Sequence, residues 1–269
     1  MWTKEMFHVS KPIIALLHIR ALPGDPYFDN RGGLEKVIDT AGTELHALQA
    51  GGVDGILFAN EFSLPYQKHA DSVTIASMSY VIGCLKREIS LPFGVSVVAN
   101  PMATIELAAA TRAQFVRNTF TGAYVGENGF VDTNVGDVVR RKYALGLSDL
   151  KMLYKVNPES DVFLAERDLK VVTRSIIFHC FPDALCVSGY SAGSETNSEI
   201  LSLVKEASGD VPVFCNTGCT AENILEKLAI ADGACVGTAF KKDGIFDNVV
   251  EISRVKKFMD NVTAFRAKT

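Results

Sequence analysis

Short runs of apolar, β-branched residues recur along this chain every 20 to 40 residues or so, and each is followed by a segment with helical periodicity. The runs predict strands at Ile13–Ile19, Gly55–Asn60, Phe93–Asn100, Phe115–Thr119, Lys151–Val156, Ala184–Gly189, Pro212–Gly218 and Ala234–Phe240. Helical patterns lie between them, over Leu34–Ala50, Thr74–Glu88, Ile105–Arg112, Val135–Leu145, Glu166–Phe178, Ser198–Lys205, Ala221–Ala231 and Ile252–Phe265. Gly51-Gly52 stops the first helix, and Thr220 followed by Glu222 and Asn223 reads as an N-cap. Strict strand–helix alternation implies a parallel sheet. Eight such units predict an α/β fold of the (β/α)8 TIM-barrel type, in preference to an open doubly wound sheet.

No Pro/Ser-rich linker, charge block or low-complexity tract interrupts the alternation, so residues 1–269 read as one barrel domain with 1–10 as an N-terminal extension. Three loops are long for α/β units: Ala21–Gly33, Glu61–Asp71 and Thr119–Thr133. All follow strands, which places them on the catalytic face of a barrel, and the glycines of the third suit it to act as a lid.

Composition narrows the function. A chain of 269 residues, 48% hydrophobic, can bury one sizeable core. With 27 basic against 31 acidic residues, a net charge of −4 provides no field for nucleic acid or an anionic membrane. A phosphorylated ligand therefore has to be held locally. The six cysteines sit mostly inside apolar runs and lack a CxxC pair, so they read as reduced core residues. No signal-peptide pattern or membrane-length run is present, and the expectation is a soluble cytoplasmic protein.

Several motifs are excluded. Gly189-Tyr190-Ser191-Ala192-Gly193 matches the GxSxG nucleophile elbow, but that triad needs a histidine after the serine and the last one here is His179. No two glycines are spaced G-x-G and no GxxxxGK[ST] occurs, which removes the Rossmann fingerprint and the P-loop. What remains is a pair of glycine turns, Asn216-Thr217-Gly218 and Gly237-Thr238, at the ends of the last two strands. Barrels often hold a phosphate there, so Gly218, Gly237 and Thr238 are the candidate phosphate ligands, against the plainer reading that they only make tight turns.

Polar residues end several other strands: His18, Glu61, Asn100, Asn118, Lys155, Ser188 and Asn216. This fold collects catalytic groups at such positions, although about half of them only mark the passage from strand to solvated loop. His18, Glu61 and Asn118 are the catalytic candidates. Arg117, Ser188, Gly189, Asn216 and Lys241 are the substrate-binding candidates. Lys155 also invites a Schiff-base reading, though a solvated lysine is the commoner state. No cofactor is expected. A divalent cation on His18, Glu61, Asp25 and Asp132 stays open, but no metal ligands are assigned.

The stretches His18–Pro26, Asp183–Gly189 with Ala192-Gly193, and Val236–Thr238 through Lys241–Gly244 resemble the BtpA/SgcQ family, over about Lys11 to Val262. Asn60–Tyr66 and Phe120–Tyr124 are most similar to its SgcQ branch. The resemblance implies a barrel of the ribulose-phosphate-binding kind. One branch of the family is named for photosystem I biogenesis, while the SgcQ branch is associated with sugar-utilisation genes and is labelled similar to phosphoribosylanthranilate isomerase. That isomerase uses a cysteine at the end of strand one and an aspartate at the end of strand six, where this chain has His18 and Ser188, so its mechanism is not expected here. In the family pattern the place of Lys155 often carries Asp or Asn, which weakens the Schiff-base reading.

Together these readings favour an enzyme that isomerises, epimerises or cleaves a phosphorylated sugar or ribosyl compound in carbohydrate metabolism. Glu61 or His18 would be the base, with Asn118, Asn216 and Arg117 as polarising groups. The alternative is a non-catalytic phosphate-ligand-binding or assembly protein on the same fold. The expected partner is a phosphorylated small molecule. A homo-oligomer is also open.

Overall fold

The computed structural model describes residues 1–127, 129–189 and 193–268. The chain begins with α1 (Trp2–Phe7) and β1 (Ile13–His18), then runs α2 (Gly33–Ala50), β2 (Gly55–Ala59), α3 (Ser72–Leu85), β3 (Phe93–Ser96), α4 (Pro101–Thr111) and β4 (Phe115–Asn118). There follow β5 (Ala123–Gly126), β6 (Gly129–Asp132), α5 (Val135–Ala144), β7 (Lys151–Asn157), β8 (Asp161–Phe163), α6 (Leu169–Cys180), β9 (Ala184–Val187) and α7 (Ser198–Ala207). The last elements are β10 (Val213–Cys215), α8 (Ile224–Ile230), β11 (Gly233–Val236), two 3-10 turns at Thr238–Phe240 and Lys242–Gly244, and α9 (Ile252–Arg266).

Eight parallel strands close into a barrel in the order β1-β11-β10-β9-β7-β4-β3-β2. The predicted strands are the strands of this barrel. Two features were not predicted. The 1–10 extension contains α1, and the long loop after β4 folds with β8 into a separate antiparallel sheet, β6-β5-β8, with Gly126 and Gly129 paired at its turn.

Alternation along each strand sorts the core into two shells. Ile13, Ala15, Leu17, Ile56, Phe58, Val116, Tyr154, Leu185 and Val213 face the helices. The residues between them, Ile14, Leu16, Leu57, Phe115, Leu153, Cys186, Phe214 and Cys235, fill the barrel interior together with Phe7. That interior is packed by pairing large with small. A Cβ on Gly55 would lie 2.7 Å from Phe7, one on Gly233 would lie 2.5 Å from Phe214, and one on Gly94 would collide with the Phe115 ring. Three inward glycines therefore make room for three phenylalanines, as a tapering barrel requires. Phe7 brings α1 beneath the barrel as a plug, and the Trp2 indole fixes it by donating to the Asp183 carbonyl at 2.8 Å.

Among the described residues no helix is long and apolar enough to cross a membrane.

Candidate functional site

The interior pattern continues past the last apolar layer. Two residues beyond Leu16, Phe115, Leu153, Cys186, Phe214 and Cys235 stand His18, Arg117, Lys155, Ser188, Asn216 and Gly237. Glu61 follows Leu57 and Ala59 in the same parity. The strand period thus delivers polar groups from six strands to the C-terminal mouth.

Arg117 is the centre of this group and is only 2% exposed. Its Nη1 donates to Asn216 Oδ1 at 2.9 Å, and its Nη2 lies 3.4 Å from Glu61 Oε1. Burial opposes its charge, but Cys235, Glu61 and Glu159 outweigh burial, so the guanidinium pKa lies above its ordinary value. Asn216 Nδ2 donates to Ser188 Oγ at 2.9 Å and to Glu159 Oε1 at 2.8 Å. Lys155 Nζ meets the other Glu159 oxygen at 2.7 Å. Burial also opposes ionisation of Glu159, but Lys155 and Arg117 outweigh it and hold the carboxyl below the usual carboxylate range. The second oxygen of Glu61 accepts from Tyr66 Oη at 3.0 Å. Burial and the adjacent Glu61 together push the Tyr66 phenol pKa up, which keeps it a neutral donor. The result is one connected network, Tyr66–Glu61–Arg117–Asn216–Glu159–Lys155, with Ser188 attached.

His18 stands beside this network. It is 4% exposed, and its Nδ1 has no hydrogen-bond partner among the described residues. A Cβ on Gly237 would lie 2.7 Å from His18 Nε2, so glycine at 237 is what lets the imidazole sit there. Burial first, then the cations Lys241, Arg117 and Arg20, drives the imidazole pKa well below its ordinary value. His18 is therefore a neutral ring. Phe62 and Phe246 pack beside it, at centroid distances of 6.5 and 5.3 Å.

Other expected residues lie elsewhere. Asn118 has the opposite parity from Arg117 and faces α4, where its Nδ2 donates to the Val97 carbonyl and Thr104 Oγ1 and its Oδ1 accepts from Thr119 N. It is a structural clasp and not a catalytic group. Asn100 likewise ties down the loop after β2, through Ala70 N and the Gln67 carbonyl. Lys241 is fully buried and its ammonium pairs with Glu44 of α2 at 3.0 Å, yet it lies 5.5 Å from the Phe62 centroid, so it stands beside the site and acts on His18 through its charge. Gly218 has φ +67 and packs against the backbone of Ser194 and Glu195, where a side chain would collide. Gly189 N donates to Thr217 Oγ1 at 2.6 Å, which joins the turns after β9 and β10. Tyr190, Ser191 and Ala192 of the GxSxG match lie outside the described residues. Thr238 opens the 3-10 turn directly after Gly237.

The carboxylates weighed for a cation do not gather. Asp25 accepts from Leu22 N and Ser63 Oγ, and Asp132 belongs to the outer sheet strand β6. Among the described residues no group of three or more His, Cys, Asp or Glu is placed to hold a metal ion.

Glu159 and Phe246 were missed from sequence. Glu159 lies beyond the end of β7, four residues after Lys155, and that spacing beside a kinked strand end was its only signal. Phe246 lies in the strap between Lys241 and Val250, with no period to mark it. Phe246 of that strap and Phe62 lie against His18 at the mouth. An open groove of about 320 Å³ lies instead between the outer sheet and α6, lined chiefly by Tyr124, Phe163, Val172, Ile176 and Cys180. Its lining shares no residue with the charged network.

A model of the BtpA family matches residues 9–264. SgcQ, a protein of the sgc region of Escherichia coli K12, is 47% identical over 265 residues, spanning 98% of this chain and 99% of its own length. The photosystem I biogenesis protein BtpA of Synechocystis is 29% identical over 259 residues, 95% and 89% of the two chains. Among solved structures, the (S)-3-O-geranylgeranylglyceryl phosphate synthase of Thermoplasma acidophilum, in complex with sn-glycerol-1-phosphate, superposes with a TM-score of 0.62 at 14% identity and covers 97% and 96%. An archaeal fructose-1,6-bisphosphate aldolase superposes at 0.56 with 17% identity and covers 96% and 97%. These two likenesses show a shared fold.

Proposed function

Because the chain belongs to the BtpA family, we propose that it is an enzyme acting on a phosphorylated sugar or ribosyl compound, by isomerisation, epimerisation or aldol-type cleavage. One observation carries the reading: a buried arginine joins a carboxylate, an amide and a second carboxylate–lysine pair at the mouth of a closed barrel. Desolvation makes such a network expensive for stability alone, and a role in binding or catalysis accounts for that cost. The sn-glycerol-1-phosphate in one structural neighbour and the bisphosphate named for the other support a phosphorylated substrate.

All three reactions begin by moving a proton beside a carbonyl or hydroxyl. Glu61, 19% exposed, is the reachable carboxylate and the better base. It takes the proton, and the electron pair left on carbon passes to the carbonyl oxygen. Arg117 and Lys155 stabilise that oxyanion electrostatically, and the neutral His18 imidazole can donate or accept a proton in a hydrogen bond without adding charge. Lys155 enters as a cation paired with Glu159, not as a Schiff-base nucleophile. Gly237 and Thr238 take the phosphate, with Gly218 shaping the neighbouring turn.

The test is binding of a sugar-phosphate panel to the wild type and to Gly237→Asp. The reading expects at least one phosphorylated sugar to bind the wild type and to lose most of its affinity in the variant. Equal affinities overturn the phosphate assignment. The second reading, a ligand-binding or assembly protein, draws on the name of the Synechocystis relative. It expects binding without turnover.

A further inference from the structure

Three rings and a guanidinium meet over the mouth. Arg20 Cζ lies 4.3 Å above the centroid of Phe62, Phe62 stacks on Phe246 at 4.5 Å with 30° between planes, and Phe246 lies 5.3 Å from His18. Arg20 and Phe246 both lie against Phe62, and the Lys241 ammonium stands 5.5 Å from the same ring centroid.

The layers are not equally fixed. His18 ends β1 and is almost fully buried, and Phe62 directly follows Glu61. Phe246 belongs to a strap whose neighbours Lys242–Ile245 and Asp247 are all exposed. At its base the strap is anchored by buried Lys241 and Val250, whose backbones bridge, and only its crest is held by Arg20, which donates to the Asp247 carbonyl at 2.9 Å and reaches the Asn248 carbonyl at 3.4 Å. Phe246 is thus the layer that can leave. Its phenyl ring also fails its neighbour, because His18 Nδ1 is buried with no polar partner among the described residues. A buried polar atom without a partner is costly and usually has an explanation in function.

We propose that the substrate of this site carries, besides its phosphate, a planar heterocycle that displaces Phe246, stacks on Phe62 and hydrogen-bonds His18 Nδ1. The inference rests on the phosphorylated-ligand reading above. A nucleobase-like ring keeps the stacking that phenyl provides and adds in-plane donors and acceptors that phenyl lacks. The candidate phosphate turn adjoins this place, since Gly237 packs directly on the His18 ring. A plain sugar phosphate has no planar ring to take the place of phenyl in the stack, which favours the ribosyl-heterocycle phosphates and closely related compounds.

Isothermal titration of the full chain with ribose 5-phosphate and with a panel of purine and pyrimidine nucleoside 5′-monophosphates tests this. At least one nucleotide is expected to bind roughly tenfold or more tightly than ribose 5-phosphate, the scale of one base–aromatic stack. Phe62→Leu should abolish that advantage while leaving ribose 5-phosphate within about twofold of wild type, the stack alone having been removed. Phe246→Ala, on the exposed strap and safe for folding, should tighten nucleotide binding because it removes the competing ring. If ribose 5-phosphate binds in a Gly237→Asp-sensitive manner and no nucleotide binds more tightly, the heterocycle is wrong and the phosphate reading stands. If no phosphorylated compound binds at all, the phosphate reading fails and this inference with it. If Phe246→Ala weakens nucleotide binding, Phe246 is a wall of the site and the displacement is wrong.

Discussion

Holding His18 neutral has a measurable consequence for stability. Of the five histidines, His18 alone is buried, while His8, His46, His69 and His179 face solvent. Its folded pKa is driven well below the ordinary value by burial and by Lys241, Arg117 and Arg20. In the unfolded chain the same imidazole takes up a proton near pH 6.5. Below that pH the unfolded state binds the extra proton, so this contribution to stability is complete above about pH 6.5 and is lost as the pH falls towards the folded pKa. The slope approaches about 1.4 kcal/mol per pH unit, which amounts to at most about 2 kcal/mol between pH 8 and pH 5. Urea denaturation of wild type and His18→Gln at pH 8, 7, 6 and 5 isolates the term, because the carboxylates titrate in both proteins and cancel in the difference. The gap between the two stabilities should change by up to about 2 kcal/mol in the direction that favours the variant in acid. In proton NMR, the His18 ring resonance should stay unshifted through pH 6.5. Parallel stability profiles, or a His18 resonance with its midpoint at or above 6.5, would refute the claim that the site holds a neutral imidazole.

Arg117→Met should destabilise the fold by about 3–5 kcal/mol in urea, because it leaves Glu61 and Glu159 without their shared cation, and Arg117→Lys should recover only part of that since one ammonium cannot span Asn216 and Glu61. Lys241→Ala should cost about 3 kcal/mol or less, because the buried Glu44 carboxylate keeps Arg20 at 3.8 Å, whereas Lys241→Met with Glu44→Leu should recover most of it, which a double-mutant cycle on melting curves measures. Gly94→Ala should lower stability by about 1–3 kcal/mol through overpacking against Phe115 without touching the mouth, so ligand affinity at low temperature should not change.

Much of the barrel was legible because burial imposes a strand period of two and a helical period of 3.6, and both survive in the sequence. The same parity also held information that was not used. Placing Phe115 inward against Gly94 puts Arg117 in the mouth and Asn118 on the helix side, the reverse of the catalytic expectation for Asn118. The Lys241–Glu44 pair was not legible because its members lie 197 residues apart, a contact that no local pattern encodes. The outer sheet carried a hairpin signal in its short strands flanking Gly126 and Gly129, which the loop length obscured. Glu159 and Phe246 sit on irregular backbone, and their roles come from tertiary neighbours alone.

The central claim is that the mouth of this barrel moves a proton on a phosphorylated substrate, with Glu61 as the base. Incubating the protein with a phosphometabolite extract in D₂O and following isotope uptake by mass spectrometry tests it, whichever phosphorylated compound the substrate is. The account predicts that a phosphorylated compound gains solvent deuterium on carbon with the wild type, and does so about 10²- to 10⁴-fold more slowly with Glu61→Gln. Absence of exchange in every phosphorylated compound, or equal exchange with both proteins, contradicts it.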